Sequence, residues 1–376
     1  MINVLLIVKR YRGDYALVNE MARLDEQRFR CVVCYLSGER DGKNSLDARI
    51  KTYYLGLKNN EISLWNSRAR RVLADIFNNE RIDVVNCHLQ RTIGLTVAAA
   101  RMARRPPRLL ATLHGLGSAD SWKRRFGNWF LYRRLDRVIG VSEGVRQDIL
   151  RNNWGLKPDK VVTIHNGIDP TPFLADIPRE VARQELRPTG GDGCWFGSLG
   201  RLSEVKNHRT LLRAFARVVA VKPEVRLFLA GRGELEEELR TLANSLGLTK
   251  QVVFLGFRRD VPLVLRALDV FVLPSLREGL PLSLMEGMCS GLPAVASRVG
   301  GIPELFGDAE FGALVDPKDE ACLAETMLSL ASLSCEDRSR LGNNARGKVL
   351  SCFTAEEMTR KYATLYEDVY GAGQNG

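Results

Sequence analysis

The sequence predicts an α/β protein made of two Rossmann-like domains, each with a doubly wound parallel sheet. Three observations carry this prediction. The chain has 376 residues, more than one domain of usual size. Short apolar runs alternate with helix-like segments in both halves, as buried parallel strands alternate with their crossover helices. Between the halves, the segment DPTPFLADIPREVARQELRPTGGDG is rich in proline, glycine and charge, which indicates a linker.

The predicted strands follow one another in the order expected for two such sheets. In the first half they are INVLLIV, FRCVVCYL, DVVNCH, RLLATLH, RVIGVS and KVVTIHNGI; in the second half, CWFGSLGRL, VRLFLAG, QVVFLGF, DVFVLPS, LPAVAS and GALVD. We place the first domain at 1–175 and the second at 190–350. An apolar stripe of helical period in TAEEMTRKYATLYEDVYG predicts a packed helix at about 353–371. Ligands should bind at the carboxyl ends of the strands, near where the sheets face a central cleft.

Composition and charge narrow the partners and the compartment. Residues 1–170 contain 30 Lys and Arg against 17 Asp and Glu, and the remainder contains 25 against 27. The first half should therefore face an anionic surface or ligand. No apolar run approaches the ~20 residues that cross a bilayer, and MINVLLIVKRYR fits a buried strand better than a secretion signal. A cytoplasmic protein is expected, with its eight cysteines as thiols and no sequence-local metal site.

The stretch REGLPLSLMEGM places Glu278 and Glu286 on either side of a predicted helix start at about Pro281. Backbone N–H groups at the beginning of a helix, here those of Leu282, Ser283 and Leu284, form an anion site. Flanking ionised carboxylates can accept hydrogen bonds from sugar hydroxyls. For either glutamate alone, a solvated surface charge is the simpler interpretation, so the pattern rather than the single residue favours a binding site.

A second loop supplies cations. In GSLGRLSEVK, Arg201 and Lys206 follow a predicted strand and two glycines. Paired with an anion-binding helix start, they can clamp a diphosphate and stabilise the charge on a departing phosphate. No Asp-x-Asp motif occurs, so the cations and the helix would act without a metal. His114 ends the strand ATLH, where side chains can reach a ligand, and both a functional and a structural role are compatible with this placement.

Together, in order and spacing, these motifs resemble the family 4 retaining glycosyltransferases of the GT-B fold. GRLSEVK is similar to the family's glycine-arginine-then-lysine loop, SLREGLPLSLMEGMCSGLPAVASRVGGIPE to its region with two glutamates eight positions apart, VTIHNGID to the end of its first domain, and TLHG to its acceptor-side histidine strand. The match covers most of the chain and is strongest at 195–310. It also implies that the helix at about 353–371 packs back on the first domain. The chain departs from the family in the loop after the first strand, KRYRGDYALVNE, where Gly13 is the single glycine.

The resemblance implies a nucleotide-diphosphate sugar, with a UDP-sugar favoured, as co-substrate and no other cofactor. Arg201 and Lys206 would hold the diphosphate, Glu286 the ribose, and Glu278 the donor sugar beside its anomeric carbon. His114 would support the donor sugar or the acceptor hydroxyl. The family transfers the sugar with retention and without metal, and the leaving phosphate helps to deprotonate the acceptor. The implied donor-binding set is completed by Gly13, Phe257, Gly279, Leu280, Pro281, Leu282 and Ser283.

Basic residues with interleaved aromatics, in SWKRRFGNWFLYRRLDR and RMARRPPR, can dock on an anionic membrane surface, with nucleic acid as the competing partner. The family resemblance implies a glycan or glycolipid acceptor, and with it membrane contact is preferred to nucleic acid. A partly buried helix with a solvated basic rim is the structural alternative. The expected protein is a peripheral enzyme on the cytoplasmic face of the membrane that glycosylates a lipid-linked or surface polysaccharide, such as lipopolysaccharide core. The alternatives are a nucleotide-sugar epimerase of the same plan and a non-catalytic nucleotide-sugar binder.

Overall fold

The computed structural model describes residues 1–11, 16–39, 46, 49–117, 122–186, 193–308 and 310–373. The chain divides into two compact units: Met1–Ile168 with Ala355–Gly376, and Asp169–Thr354. The elements of the first unit are β1 (Ile2–Arg10), α1 (Ala16–Ala22), β2 (Phe29–Ser37), β3 (Lys51–Tyr54), α2 (Ser67–Asn79), β4 (Val84–His88), α3 (Gln90–Ala100), β5 (Arg108–Leu113), α4 (Trp122–Tyr132), β6 (Arg137–Gly140), α5 (Glu143–Asn152) and β7 (Val161–Thr163).

The second unit contains α6 (Arg179–Leu186), β8 (Trp195–Leu199), α7 (His208–Val221), β9 (Arg226–Ala230), α8 (Glu236–Ser245), β10 (Val252–Gly256), α9 (Val261–Ala267), β11 (Val270–Leu273), α10 (Leu282–Cys289), β12 (Ala294–Ser297), α11 (Ile302–Phe306), β13 (Gly312–Val315), α12 (Glu320–Ser332) and α13 (Cys335–Cys352). The last helix, α14 (Ala355–Gly371), belongs to the first unit. Single 3-10 turns lie at Pro158–Lys160, Thr171–Phe173 and Glu204–Lys206.

Each unit has a parallel sheet whose strand order reverses once. In the first unit the described strands run β3-β2-β1-β4-β5-β6-β7, and in the second β10-β9-β8-β11-β12-β13. Every strand pair is parallel, for example Ile7 beside Cys34 of β2 and Cys87 of β4. Because successive crossovers turn in opposite directions at β1/β4 and at β8/β11, the loops leaving those strands separate and leave a crevice. These two switch points are where ligands are expected.

The strands form because their sequences are almost wholly apolar and both sheet faces are covered. Leu5 and Leu6 of β1 are fully buried, as are Phe271 and Val272 of β11. A strand buried on both faces needs a continuous apolar run rather than an alternating one. All twelve predicted strands are present; β3, with its sequence KTYY, was not predicted because it is short and lies at the sheet edge.

The segment expected to be a linker is instead structured in its described part. Ala182 and Leu186 of α6 are buried and α6 packs on α9. Arg183 donates a hydrogen bond of 2.7 Å to Asp269, and Arg179 contacts the same carboxylate. The prediction was wrong because proline and charge are also compatible with a helix: here Pro178 precedes α6, and the charged residues lie on an amphipathic helix that packs within the second unit.

A buried polar network holds α14 in the first unit. Asn86 donates to the Tyr366 hydroxyl at 2.9 Å, Thr112 donates to the Asn86 side chain at 2.9 Å, and the Tyr362 hydroxyl lies 3.3 Å from Thr112. Burial raises the pKa of both tyrosines, so both hydroxyls stay protonated. The helix also packs on α1 through its apolar face. These bonds fix α14 beneath β4 and β5.

Candidate active site

The loops that leave β8 and β11 meet at the switch point of the second sheet. Lys206, in the loop after β8, donates a hydrogen bond of 2.6 Å to the Glu278 carboxylate in the loop after β11. The two side chains are 20% and 13% exposed, so the ion pair is partly screened from water. An ammonium has three N–H donors, and Glu278 uses one of them. The pair therefore places one cation, with donors to spare, at the position where an α/β sheet binds its ligand.

Asn207 braces both loops around this ion pair. Its backbone adopts the left-handed conformation with φ of 55°, which asparagine tolerates better than most residues. Its side-chain amide donates to the carbonyls of Pro274 at 3.1 Å and Pro317 at 3.0 Å, and so ties β8 to the ends of β11 and β13. Leu276 N–H adds a bond of 2.8 Å to the Val205 carbonyl.

A glycine permits the close packing of the loops after β8 and β9. A Cβ on Gly231 would lie 1.8 Å from the Gly200 carbonyl oxygen, and its φ of +146° is unfavourable for other residues. Gly233 packs in the same way, with its Cβ position 2.0 Å from the Leu202 carbonyl oxygen, so both glycines of AGRGE serve loop packing.

Helix α10 begins at the same switch point and leaves its first amides unpaired. It starts at Leu282, one residue later than Pro281, which lies in an extended conformation before it. Within the described residues, the N–H groups of Leu282, Ser283 and Leu284 have no hydrogen-bond acceptor, as expected for a first helical turn. The preceding loop is held in place because Gly301 N–H donates to the Gly279 carbonyl at 2.9 Å. Unpaired amides at a helix start can hold an anion, and Glu278 lies four residues before this helix start.

Glu286 lies further along α10 and has an unusual environment. Its side chain is partly buried, and burial raises its pKa to about 7. Among the described residues none donates a hydrogen bond to its carboxylate. A desolvated carboxyl without a donor is costly when ionised. It is well suited to accept hydrogen bonds from the hydroxyls of an incoming ligand.

The remaining predicted residues of this unit lie in the same group of loops. Arg201 is exposed in the loop after β8, with no side-chain hydrogen bond within the described part of the chain. Phe257 follows β10 and is 64% exposed. Leu280 and Pro281 are buried, and Leu282 and Ser283 are partly exposed. Gly13, predicted in the first unit, lies outside the described residues.

In the first unit, two histidines meet at the carboxyl ends of adjacent strands. His88 ends β4 at the switch point, and His114 follows β5. The distance from His88 Nδ1 to His114 Nε2 is 2.9 Å and the rings stack with centroids 5.2 Å apart. Burial lowers the pKa of His114 to about 4, and burial together with His114 lowers the pKa of His88. Both rings are therefore neutral near pH 7, and one donates a hydrogen bond to the other.

Sequence reasoning missed His88 and Asn207. The run DVVNCH contains the signal for His88, a histidine as the last residue of a predicted strand, the same feature that singled out His114. Asn207 follows Lys206 directly and could have been proposed as a helix N-cap. Its observed role, bonding two distant carbonyls, depends on the strand order and could not be inferred from local sequence.

Helix α4 presents an aromatic face to solvent. Trp122, Phe126 and Phe130 follow one another at four-residue spacing and are 67%, 52% and 53% exposed. Phe130 packs edge-on against Trp129, whose ring also lies 4.8 Å from the Arg133 guanidinium. Within the described part of the chain, every helix is too short or too polar to span a bilayer.

The chain matches two protein families, one in each half. Residues 188–348 match the family described as glycosyl transferases group 1, and residues 15–171 match glycosyltransferase family 4. It is similar to the UDP-Gal:α-D-GlcNAc-diphosphoundecaprenol α-1,3-galactosyltransferase of Escherichia coli, with 26% identity over 337 residues that cover 86% of this chain and 85% of the relative. It is 29% identical over 261 residues to the lipopolysaccharide core biosynthesis mannosyltransferase LpsB of Rhizobium meliloti, covering 66% and 70% of the two chains.

A solved structure gives the same fold. Anabaena HepE in complex with UDP-glucose superposes with a TM-score of 0.84 at 21% identity, covering 98% of this chain and 100% of that one. Its likeness confirms the predicted fold class, with two parallel-sheet α/β units arranged in sequence as in GT-B glycosyltransferases.

Proposed function

Because this chain belongs to the family 4 glycosyltransferases of the GT-B fold, we propose that it moves a hexose-type sugar from a UDP-sugar to a lipid-linked or surface-polysaccharide acceptor, such as lipopolysaccharide core. The transfer is proposed to retain the anomeric configuration and to need no metal. The acceptor class is supported by the names of the two relatives, one acting on a diphosphoundecaprenol-linked sugar and the other on lipopolysaccharide core. The donor base is supported by HepE, whose structure contains UDP-glucose.

The observation that carries this proposal is the Lys206–Glu278 ion pair beside the unpaired amides of α10. A diphosphate placed there would receive N–H donors from the helix start and from Lys206, with Arg201 at the edge. Glu286 would accept from the ribose hydroxyls, and Glu278 would face the sugar. Lys206 would then stabilise the negative charge that grows on the leaving phosphate, which is the step that such preorganised donors accelerate.

The histidine pair is proposed to supply a neutral hydrogen-bond donor. His88 Nε2 is buried without a partner in the described structure, and buried N–H groups without acceptors are rarer than the converse. The proton between the rings is therefore assigned to His88 Nδ1, which donates to His114 Nε2. His114 must then carry its proton on Nδ1, where it can donate to a sugar or acceptor oxygen rather than act as a base.

Replacing Lys206 with alanine tests the proposal. We expect UDP release from a UDP-sugar in the presence of a lipid-linked acceptor to fall about 10²-fold or more, the scale of losing one preorganised charge stabiliser. Lys250→Ala, which removes an exposed lysine before β10, is the matched control and should retain full activity. Near-normal turnover in Lys206→Ala would refute the diphosphate assignment.

The same assay separates the alternatives. A nucleotide-sugar epimerase would change the donor sugar without an acceptor and without releasing UDP, and a non-catalytic binder would bind UDP-sugar and leave it intact. Retention is tested by the anomeric coupling in the NMR spectrum of the product. Full activity is expected in EDTA, and a strict requirement for a divalent cation would refute the metal-free mechanism.

Peripheral membrane association on the cytoplasmic face is proposed to use the exposed face of α4. Aromatic rings enter the headgroup region, and each basic residue nearby adds about 1 kcal/mol on an anionic surface. Flotation with liposomes containing anionic lipid should recover the wild type and lose Phe126→Ala/Phe130→Ala. Trp65→Ala removes an aromatic side chain that is more exposed, at 81%, elsewhere on the unit, and this variant should float normally. Equal flotation of the wild type and the α4 variant would refute this surface.

A further inference from the structure

The second unit has a basic cavity at the amino ends of its strands, the sheet edge opposite the Lys206–Glu278 pair. It has a volume of about 230 Å³. Asp269, which precedes β11, and Pro293, which precedes β12, mark its floor, and α9 and α13 form its walls. Neither the ion pair nor Glu286 lines it. The cavity is thus separate from the proposed donor site.

The lining carries an excess of positive charge. Its described residues include Arg179, Arg266, Arg338 and Arg346 against one carboxylate, Asp269. Both oxygens of that carboxylate are already engaged, one by Arg179 and the other by Arg183 and by the Trp195 N–H at 2.7 Å. The arginines come from α6, α9 and α13, so three separate elements converge on the site. The excess of arginine at this cavity does not reflect the overall charge of the second half of the chain, which is close to neutral.

Arg346 and Arg266 are anchored in ways that leave donors available. Arg346 donates through Nε to the Cys289 carbonyl at 3.1 Å and through Nη2 to that of Ser290 at 3.3 Å. Arg266 donates through Nε to the Ile177 carbonyl at 2.7 Å, and in the described structure its terminal nitrogens make no hydrogen bond. A guanidinium has five N–H donors in a fixed fork. Carbonyl contacts hold these forks in position but do not neutralise their charge.

The close approach of α13 makes this arrangement possible. A Cβ on Gly342 would lie 1.8 Å from the Gly291 carbonyl oxygen, so the helix can rest on that turn because the residue is glycine. Arg346, one helical turn further on, then reaches the end of α10. Ser339 and Asn343 lie on the same face of α13 and line the cavity with neutral donors.

Four partly buried arginines that share one carboxylate repel one another, and an anion from solution would relieve the repulsion. The repulsion between neighbouring arginines also affects Arg183, whose pKa is lowered by burial and by the nearby Arg179, although Asp269 raises it. We propose that this cavity binds a small dianionic phosphate group, either inorganic phosphate or the phosphate of a sugar phosphate. Forked N–H donors from several arginines suit the oxygens of such a group.

Titration of the 376-residue chain at constant ionic strength, maintained with chloride, tests the site. Calorimetry with inorganic phosphate and, separately, with a hexose phosphate should give saturable binding of one ligand per chain. Arg266→Gln should weaken it about tenfold or more, as expected for losing charge-assisted hydrogen bonds. Arg266→Lys keeps the charge but not the forked N–H donors, so its phosphate affinity should lie between those of the wild type and Arg266→Gln. Arg213→Gln, an exposed arginine on α7, should bind like the wild type.

Two results would overturn the inference. One is the absence of saturable binding of both ligands. The other is binding that is lost in Arg201→Gln but retained in Arg266→Gln, because the phosphate would then occupy the loop after β8. If Arg266→Gln fails to fold by circular dichroism, Arg179→Gln provides the same test from α6. The ligand that binds more tightly, inorganic phosphate or the hexose phosphate, identifies the source of the phosphate. Sugar transfer by the wild type is measured separately, so a failure of this inference is distinguishable from a failure of the proposed function.

Discussion

Replacing Glu286 with glutamine should stabilise the second unit at pH 8 and weaken donor binding. The substitution keeps the shape of the side chain and removes its ability to ionise. In the folded protein, burial raises the pKa of Glu286 to about 7 from an ordinary 4.5. The folded state therefore binds this proton more tightly than the unfolded chain does.

The sign and size of the effect follow from proton linkage. Below pH 4.5 the carboxyl is protonated in both states, so it has no pH-dependent effect on the free energy of unfolding. Between pH 4.5 and 7 the unfolded chain loses the proton first, and stability falls as the pH rises. Above pH 7 the loss is complete. A change from 4.5 to about 7 corresponds to about 3 kcal/mol at about 1.4 kcal/mol per unit. Glutamine avoids this loss.

The assay must follow the second unit alone, because a chain with two units need not unfold in one step. Urea unfolding can be read from hydrogen exchange of the peptides that cover α10 and β11, at pH 5 and pH 8. Glu286→Gln should exceed the wild type by less than about 1 kcal/mol at pH 5 and by about 3 kcal/mol at pH 8. Glu234→Gln, at an exposed position before α8, should show no such difference.

Donor affinity should change in the opposite direction. The ionised carboxylate is the better acceptor for ribose hydroxyls, so UDP should bind the wild type more tightly as the pH rises from 6 to 8. Glu286→Gln should bind UDP about tenfold or more weakly at pH 8 and show little dependence on pH. If the stability difference between Glu286→Gln and the wild type were the same at pH 5 and pH 8, the raised pKa of Glu286 would be refuted. Unchanged UDP affinity in Glu286→Gln would refute the role of this residue in ribose binding.

Three further outcomes are expected. His88→Leu should lower kcat/KM about tenfold or more, because His114 then loses the hydrogen bond that keeps its proton on Nδ1. His88→Asn, whose amide N–H can replace the donor at Nδ1, should recover part of the lost kcat/KM. Equal losses in the two variants would contradict the assignment. Asn207→Ala should destabilise the second unit by about 1–3 kcal/mol, because two carbonyls lose their donor, as measured by thermal unfolding. Tyr366→Phe should destabilise the first unit by about 1 kcal/mol without changing UDP affinity; a lower affinity would contradict a purely structural role.

The fold was predictable where local sequence is decisive. Runs such as DVFVLPS are apolar enough to be buried on both faces, and the proline and glycine around SLMEGMCSG mark the ends of α10. The segment that forms α6 was misread because its polar composition hid a short buried face at Ala182 and Leu186. Strand β3 was missed because an edge strand of four residues carries little periodicity.

The site was predictable as a set of residues but not as an arrangement. Lys206 and Glu278 lie 72 positions apart in the sequence, and their ion pair depends on β8 lying next to β11. The raised pKa of Glu286 arises from three-dimensional burial, to which a hydropathy pattern is insensitive. His88 and His114 likewise meet because β4 and β5 are neighbours. Strand order, rather than residue type, supplied the missing information.

The return of α14 to the first unit has a consequence for synthesis on the ribosome. The first sheet is complete once Ile168 has emerged, yet Asn86 and Thr112 have to wait for the partners that α14 brings. The intervening segment, Asp169–Thr354, takes roughly 10–40 s to translate at about 5–20 residues per second. During that interval the nascent chain exposes the surface that α14 later covers, and exposed apolar surface of this kind is what chaperones bind. A domain expressed by itself would therefore need Ala355–Gly371 joined after Ile168 to fold fully.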